Sequence, residues 1–341
     1  MDRGKSNFVP IVIGSWGGIL MKMRKFSSSG IERLMITLAF LAVSILVLSA
    51  CGSESGGPND SGKLRITATT GMIADAAKQV GGDYVEVTGL MGPGIDPHLY
   101  KASQGDVRKL DHADIIFYNG LHLEGKMGEI FEKLEKSKPV VAVASKLIES
   151  QLLSDPAATG EAVHDPHIWF DVKLWMSAVE VIRDSLVEKD PSHAEQYAAN
   201  ASAYLAEMEK LDAYAREQIA SIPEKSRILV TAHDAFGYFG KAYGLQVTGL
   251  QGMNTMSEYG SKDVSELRDF LVDNGIKAVF IESSVSSKSI ESVIEGAKKL
   301  GHEVRIGGEL FSDAMGDEGT PEGTYLGMVK HNVETIVESL K

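Results

Sequence analysis

The chain predicts an α/β fold: two Rossmann-like lobes with parallel sheets, joined by one long rigid helix. Three observations predict it. Strand-like and helix-like runs alternate, and helices placed between strands imply parallel sheets covered by helices. The alternation occurs as two separate series, in residues 63–190 and 224–341. Between them, Pro191 to Ile222 contains no internal proline or glycine, and apolar residues recur near helical spacing at Tyr197, Ala201, Tyr204, Leu205, Met208, Leu211 and Tyr214. About 280 residues follow the N-terminal segment, enough to bury a large core in two domains.

The first series reads as strands Leu64–Thr69, Val85–Leu90, Ile115–Tyr118 and Val140–Ala144, with helices Met72–Val80, Ser103–His112 and Gly125–Glu135 between them. Val172–Glu188 reads as a further helix, and Pro191 starts another, because proline suits a first helical turn. Carried to Ile222, that helix measures about 45 Å at 1.5 Å per residue. It is too long for a crossover inside one small sheet, so residues 191–223 are assigned as a linking rod. The second series reads as strands Arg227–Thr231, Leu245–Leu250, Ala278–Glu282 and Glu303–Ile306, with helices Ala235–Tyr243, Asp263–Asn274, Ser289–Leu300 and Gly323–Leu340. Trp169, Trp175 and the tyrosines along the rod are expected in the core.

The N-terminus reads as a targeting segment, residues 1–50, to be set apart from the fold. Lys22, Arg24, Lys25 and Arg33 precede an apolar run from Leu34 to Leu48. That run is shorter than the roughly 20 residues a spanning helix needs. It ends in Leu48-Ser49-Ala50-Cys51, which resembles a bacterial lipobox, with Cys51 as the expected site of lipid attachment. Cys51 is the only cysteine, so no intramolecular disulfide can form. Translation is expected to start at Met1 or at Met21 or Met23. Residues 51–62 form a Gly/Ser-rich tether that would hold the folded part about 20 Å from its anchor.

Charge narrows the function. Six of the 34 basic and two of the 47 acidic residues lie in residues 1–50, so the remainder carries a net charge of −17. A nucleic-acid partner, which needs a basic footprint, is not expected.

In open α/β sheets ligands collect outside the carboxyl ends of the strands. The loops there hold metal-type residues. One is Asp96-Pro97-His98. A second is His164-Asp165-Pro166-His167-Ile168-Trp169-Phe170-Asp171, where proline stiffens the backbone and the apolar residues would bury the turn. Taken alone, that segment fits a metal-bearing loop or two surface histidines equally well. A third is Ala232-His233-Asp234, and a fourth runs from Gly307 through Glu309 to Asp313. Each lobe thus offers two candidates, and three imidazoles with one carboxylate complete a coordination sphere for Zn²⁺ or Mn²⁺.

These segments, with the lipobox, resemble the zinc/manganese-binding lipoproteins of ABC importers, the TroA-like or cluster A-I solute-binding proteins. Tyr118-Asn119-Gly120-Leu121-His122-Leu123-Glu124 and Phe280-Ile281-Glu282-Ser283-Ser284 fit the same family. The resemblance covers nearly all of the chain after the tether. It implies two α/β lobes bridged by one long helix, and metal ligands at His98, His167, His233 and Asp313. Some manganese-specific members carry Glu where this chain has His233. The long His-rich loop of many zinc-dedicated members is absent, since Ser154–Val163 is short and has no histidine.

Other polar residues keep two readings. His122 and Glu124 either orient ligands or form a surface pair. Glu282 either supports a ligand or is an ion-paired buried acid. His164, three residues before His167, faces solvent or stands behind the ligands. Asp317 and Glu318 share an acidic loop with Asp313. His112, His193, His302 and His331 are expected at the surface.

The resemblance implies an extracytoplasmic, lipid-anchored protein, monomeric and not an enzyme, that captures a divalent metal ion and delivers it to a membrane permease. Competing readings are a zinc-dependent hydrolase using three histidines and an open water position, an adhesin, and a siderophore or corrinoid binder. Against the hydrolase, the chain lacks a His-Glu-x-x-His helix.

Overall fold

A computed structural model describes residues 62–154, 163–257 and 259–341. The targeting segment, Cys51 and the tether lie outside the described residues, as does most of Ser154–Val163. The described residues belong to one unit, Asn59–Lys341.

The first sheet is wholly parallel. Strands β1 (Leu64–Ala68), β2 (Val85–Gly89), β3 (Ile115–Tyr118) and β4 (Val140–Ala142) lie in the order β2-β1-β3-β4. Helices α1 (Gly71–Gly81), α2 (Gln104–His112) and α3 (Gly128–Leu134) make the crossovers. The inner strands β1 and β3 are buried along most of their length, as strands covered on both faces must be. Ser103 and Asp106 close a reciprocal N-cap on α2, which fixes where that helix begins.

The second series gives two parallel pairs. Strands β5 (Ile228–His233) and β6 (Gln246–Gln251) form one, β7 (Ala278–Glu282) and β8 (Arg305–Leu310) the other. β7 lies alongside β5. Helices α6 (Gly237–Tyr243), α7 (Ser261–Asp273), α8 (Lys288–Lys299) and α9 (Tyr325–Leu340) complete the lobe.

Between the strands of the two series lie α4 (Val172–Lys189) and α5 (Ala194–Ala220). Asp171 caps α4, its side chain accepting from Lys173 N at 2.9 Å and Leu174 N at 3.4 Å. The helix α5 begins three residues later than the sequence predicts, because Pro191–His193 forms a 3₁₀ turn first. Its 27 residues span about 40 Å. Tyr197, Ala201, Tyr204, Met208, Leu211, Ala215 and Ile219 are buried along it, facing α1, α4 and α9. Tyr214 departs from the predicted core set; its hydroxyl reaches the edge and donates to Glu334 at 3.0 Å.

One apolar core contains residues of both series, from Ile66 and Trp175 through Tyr197 and Met208 to Phe239, Tyr325 and Val333. The long helix is therefore packed into a shared core and is not a free-standing rod. Smaller clusters serve each sheet separately.

Strand β8 also departs from expectation. The strand predicted to end at Ile306, with Gly307-Gly308 in the loop after it, falls short of the observed end at Leu310. In the structure both glycines stay in the strand, where a bulge pairs Val279 with Ile306 but Phe280 with Gly308. A Cβ on Gly307 would meet Phe280 at 2.9 Å, and one on Gly308 (φ +157°) would meet Thr335 at 2.4 Å. Glycine marks close approach here, not chain reversal.

Candidate metal centre

His98, His167, His233 and Asp313 converge, with one potential ligand atom from each lying within 4.8 Å of all the others. His98 stands in the loop after β2 and His167 just before the 3₁₀ turn Ile168–Phe170. His233 is the last residue of β5, one step inside the strand and not beyond it as predicted, and Asp313 follows β8 by three residues. All four are buried, with residue exposures of 0–2%.

The imidazoles present their Nε2 atoms to the centre. His98 Nε2 lies 3.3 Å from His167 Nε2. The Asp313 carboxylate lies 3.5 Å from His98 Nε2, 3.4 Å from His167 Nε2 and 3.4 Å from His233 Nε2. Neither Asp313 oxygen, nor His233 Nε2, has a hydrogen-bond partner among the described residues. Buried polar atoms are rarely left in that condition. Two imidazole nitrogens facing each other beside a buried carboxylate fit a shared cation, since each is an electron-pair donor when its ring is neutral.

The rings are oriented from behind. Asp165 Oδ1 accepts from His167 Nδ1 at 2.7 Å and from His167 N at 2.9 Å. Glu282, the last residue of β7, accepts from His233 Nδ1 at 2.5 Å and from His233 N at 2.8 Å. A carboxylate on Nδ1 places the proton there and leaves Nε2 free to bind a metal. In the first loop Asp96 Oδ1 accepts from His98 N at 2.8 Å, closing the same Asx turn that Asp165 closes before His167.

The loops themselves are pinned. Trp169 Nε1 donates to Ser312 O at 3.0 Å, tying the His167 segment to the Asp313 segment. Tyr325 donates its hydroxyl to Trp169 O at 2.8 Å. The buried side chain of Asn332 both donates to Phe311 O at 2.7 Å and accepts from Phe311 N at 2.9 Å.

Electrostatics follow this geometry. Burial pushes His98 down to about 3, against the pull of Asp313 and assisted by the two neighbouring histidines. Burial also disfavours charge on His233, but Glu282 and Asp313 outweigh it and raise that imidazole well above its ordinary value. Burial would raise Asp313, yet the three histidines hold it below the usual carboxylate range. The centre thus sets one buried carboxylate among imidazoles, and a cation there competes with the proton that His233 favours.

The remaining candidates separate. Glu282 supports His233 directly. Glu124 is buried but touches none of the four: its Oε1 accepts from Thr69 Oγ1 at 2.6 Å and Asn119 N at 2.8 Å, and Asn119 in turn donates to Pro166 O at 2.9 Å. Its influence reaches the centre only through the loop before His167. His122 is exposed, with a left-handed backbone at φ 63°, and is not among the four converging residues, which fits the surface one of its two readings. His164 takes the outward of its two readings. It bridges to Ser154 and faces Glu149 Oε2 at 3.3 Å, so its ring serves the neighbouring edge and neither binds nor backs the centre. Asp317 and Glu318 are exposed, and Glu318 pairs with Lys78 at 3.0 Å.

Sequence reasoning passed over Asp96 and Asp165 as functional groups. The signal was present: each stands two residues before its histidine with proline between, the spacing of an Asx turn.

The chain is similar to known proteins along most of its length. Residues 66–339 match the family model of ZnuA, the zinc-uptake complex component A, periplasmic. The manganese-binding lipoprotein MntA of Bacillus subtilis is 52% identical over 304 residues, covering 89% of this chain and 98% of that protein. The manganese ABC transporter substrate-binding lipoprotein PsaA of Streptococcus anginosus is 32% identical over 310 residues, covering 89% and 98%. The structure of the periplasmic zinc-binding protein TroA from Treponema pallidum superimposes with a TM-score of 0.79 at 51% identity, covering 82% of this chain and 99% of that one.

Proposed function

This chain belongs to the ZnuA family of periplasmic zinc-uptake components, and from that premise we propose that it captures Zn²⁺ or Mn²⁺ outside the cytoplasm for an ABC importer. The family is one of transport solute-binding proteins and not of enzymes. In this reading His98, His167, His233 and Asp313 hold the ion between an N-terminal lobe (63–190) and a C-terminal lobe (224–341) joined by residues 191–223. The chain acts as a monomer, anchored by lipid on Cys51, and delivers its ion to the cognate permease.

One observation carries the ligand assignment: three imidazole Nε2 atoms and a carboxylate with two unpartnered oxygens meet in a buried spot. Capture is ligand exchange, in which deprotonated imidazoles and a carboxylate replace water around the ion. Affinity accordingly falls in acid, where protons compete for the same atoms. Nitrogen-rich coordination favours Zn²⁺ by intrinsic affinity, which places Mn²⁺ lowest, while availability decides which ion is carried.

A hydrolytic reading is disfavoured by burial. A catalytic zinc keeps an open position beside space for substrate. The four residues here are 0–2% exposed, and the cavity of about 380 Å³ bordered by Gly71, Asp75, Met91 and Met315 is lined by none of them. Release requires the lobes to shift. A continuous helix packed into a shared core resists wide hinge closure, so release proceeds through small displacements centred on the C-terminal lobe. The test is metal analysis and competitive chelator titration of residues 52–341. One tightly bound ion per chain supports the reading, and no specific uptake of zinc or manganese overturns it.

A further inference from the structure

One carboxylate, that of Asp96, joins the two lobes directly beside the centre. Its Oδ1 accepts from the backbone N of His98 at 2.8 Å. Its Oδ2 accepts from the hydroxyl of Thr255 at 2.6 Å. Asp96 lies in the loop after β2, and Thr255 lies in the segment after β6, on the opposite lobe.

That segment is thinly held. Gln251 Nε2 donates to Thr255 O at 2.6 Å and to Ser257 O at 2.7 Å, and Asn254 Oδ1 accepts from Met256 N at 2.9 Å. All of these lie within the segment or at its root. Among the described residues, the hydrogen bond that ties residues 252–257 to the first lobe is the one from Thr255 to Asp96. Thr255 is only 8% exposed, while its neighbour Met256 is 46% exposed, so the bond sits just beneath the surface. Other ties also link the lobes, the buried bond from Trp169 Nε1 to Ser312 O and the exposed pair of Lys78 with Glu318 among them. Asp75 of α1 accepts from Tyr325 N of the second lobe at 3.0 Å and from the Tyr204 hydroxyl of the linking helix at 3.1 Å.

We infer that Thr255 is a positioning residue for metal release: its hydroxyl clasps segment 252–257 to Asp96 beside His98, and opening this clasp is a step in the ion's departure. The inference rests on the capture reading given above. Its physical content is the sharing of one carboxylate. While Thr255 is bound, Asp96 is fixed at both oxygens, and the peptide of His98 is fixed with it. Once Thr255 leaves, Asp96 Oδ2 must find water, and the loop carrying His98 gains freedom without any loss from the shared core. What sets the clasp apart is its place: one hydrogen bond near the surface that bears directly on the backbone of a ligand.

The test is the rate of zinc release from the full chain into excess chelator, by stopped flow. Thr255→Val removes the hydroxyl at nearly constant volume, Thr255→Ala guards against a packing effect of valine, and Thr255→Ser restores the donor. The clasp predicts release roughly tenfold faster in the valine and alanine variants, the scale of one buried hydrogen bond to a charged group. Thr255→Ser should release at the wild-type rate, and the valine and alanine variants, which lose the same hydrogen bond, should stay folded and melt at similar temperatures, since the core ties are untouched. Valine and alanine variants that release within about twofold of wild type overturn the inference while leaving the capture reading intact, and so does a serine variant as fast as valine. A wild-type chain that takes up no zinc overturns the capture reading itself, and this inference with it.

Discussion

Replacing Glu282 with glutamine isolates the contribution of ring orientation to metal affinity. Glu282 faces two donors of one residue, His233 Nδ1 at 2.5 Å and His233 N at 2.8 Å. Its carboxylate is buried at 5% exposure, so water does not substitute for either bond. Glutamine offers one carbonyl oxygen to these two donors and turns its amide N–H groups toward the other. One donor is left unpaired, at a cost of about 1–3 kcal/mol. When the unpaired donor is Nδ1–H, the ring is free to rotate or change tautomer, and Nε2 is no longer held toward the ion. Loss of a group that orients a metal-bound histidine typically lowers affinity by about 10–100-fold, equivalent to about 1.4–2.8 kcal/mol. The assay is chelator competition for zinc with wild type and Glu282→Gln at pH 7, with thermal unfolding of both proteins recorded alongside. The variant should bind zinc at least tenfold more weakly while remaining folded. Affinity within about twofold of wild type would refute the view that a carboxylate behind His233 sets its geometry.

Two further predictions follow from the same centre. His233→Glu exchanges a nitrogen ligand for oxygen, so zinc affinity should fall relative to manganese; equal zinc affinity in both proteins counts against the assignment of His233. Because Glu282 would then face a second buried carboxylate, the comparison is cleanest when repeated with Glu282→Gln in place. Asn332→Leu removes both hydrogen bonds to the Phe311 peptide, and should cost about 1–3 kcal/mol of stability and weaken zinc binding through the loosened Asp313 segment. Thermal unfolding in the presence and absence of zinc measures both effects, and an unchanged melting temperature would show that Asn332 does not hold that segment.

Much of the architecture was legible because it depends on local pattern. Alternating strand and helix runs fixed parallel sheets, and parallel sheets put the loops bearing His98, His167 and Asp313 at one kind of edge, with His233 at the last position of its strand. Three things were not legible, each for a physical reason. Glu282 was named as a candidate support, but not for which ligand: it is 49 residues from His233, and only the packing of β7 beside β5 makes them partners. Gly307-Gly308 looks like a turn in isolation, whereas Phe280 and Thr335 crowd the strand there and require glycine. The clasp from Thr255 to Asp96 crosses 159 residues and leaves no periodic trace. His164 and His167 illustrate the limit at short range. They share one motif, yet Asp165 draws only the second into the centre while Glu149 and Ser154 hold the first at the edge. The Asp-Pro-His spacing was the one sequence signal that distinguishes them, because only a histidine two residues after the aspartate completes the Asx turn.

The central claim is that three histidines and one aspartate hold the ion, and X-ray absorption of the zinc-loaded chain tests it most directly. The account predicts a sulfur-free coordination sphere, with imidazole nitrogens at about 2.0–2.1 Å and carboxylate oxygen at about 2.0–2.2 Å. Three imidazoles should be resolved in wild type, and two in His98→Ala. A spectrum dominated by oxygen, or one that His98→Ala leaves unchanged, would contradict it.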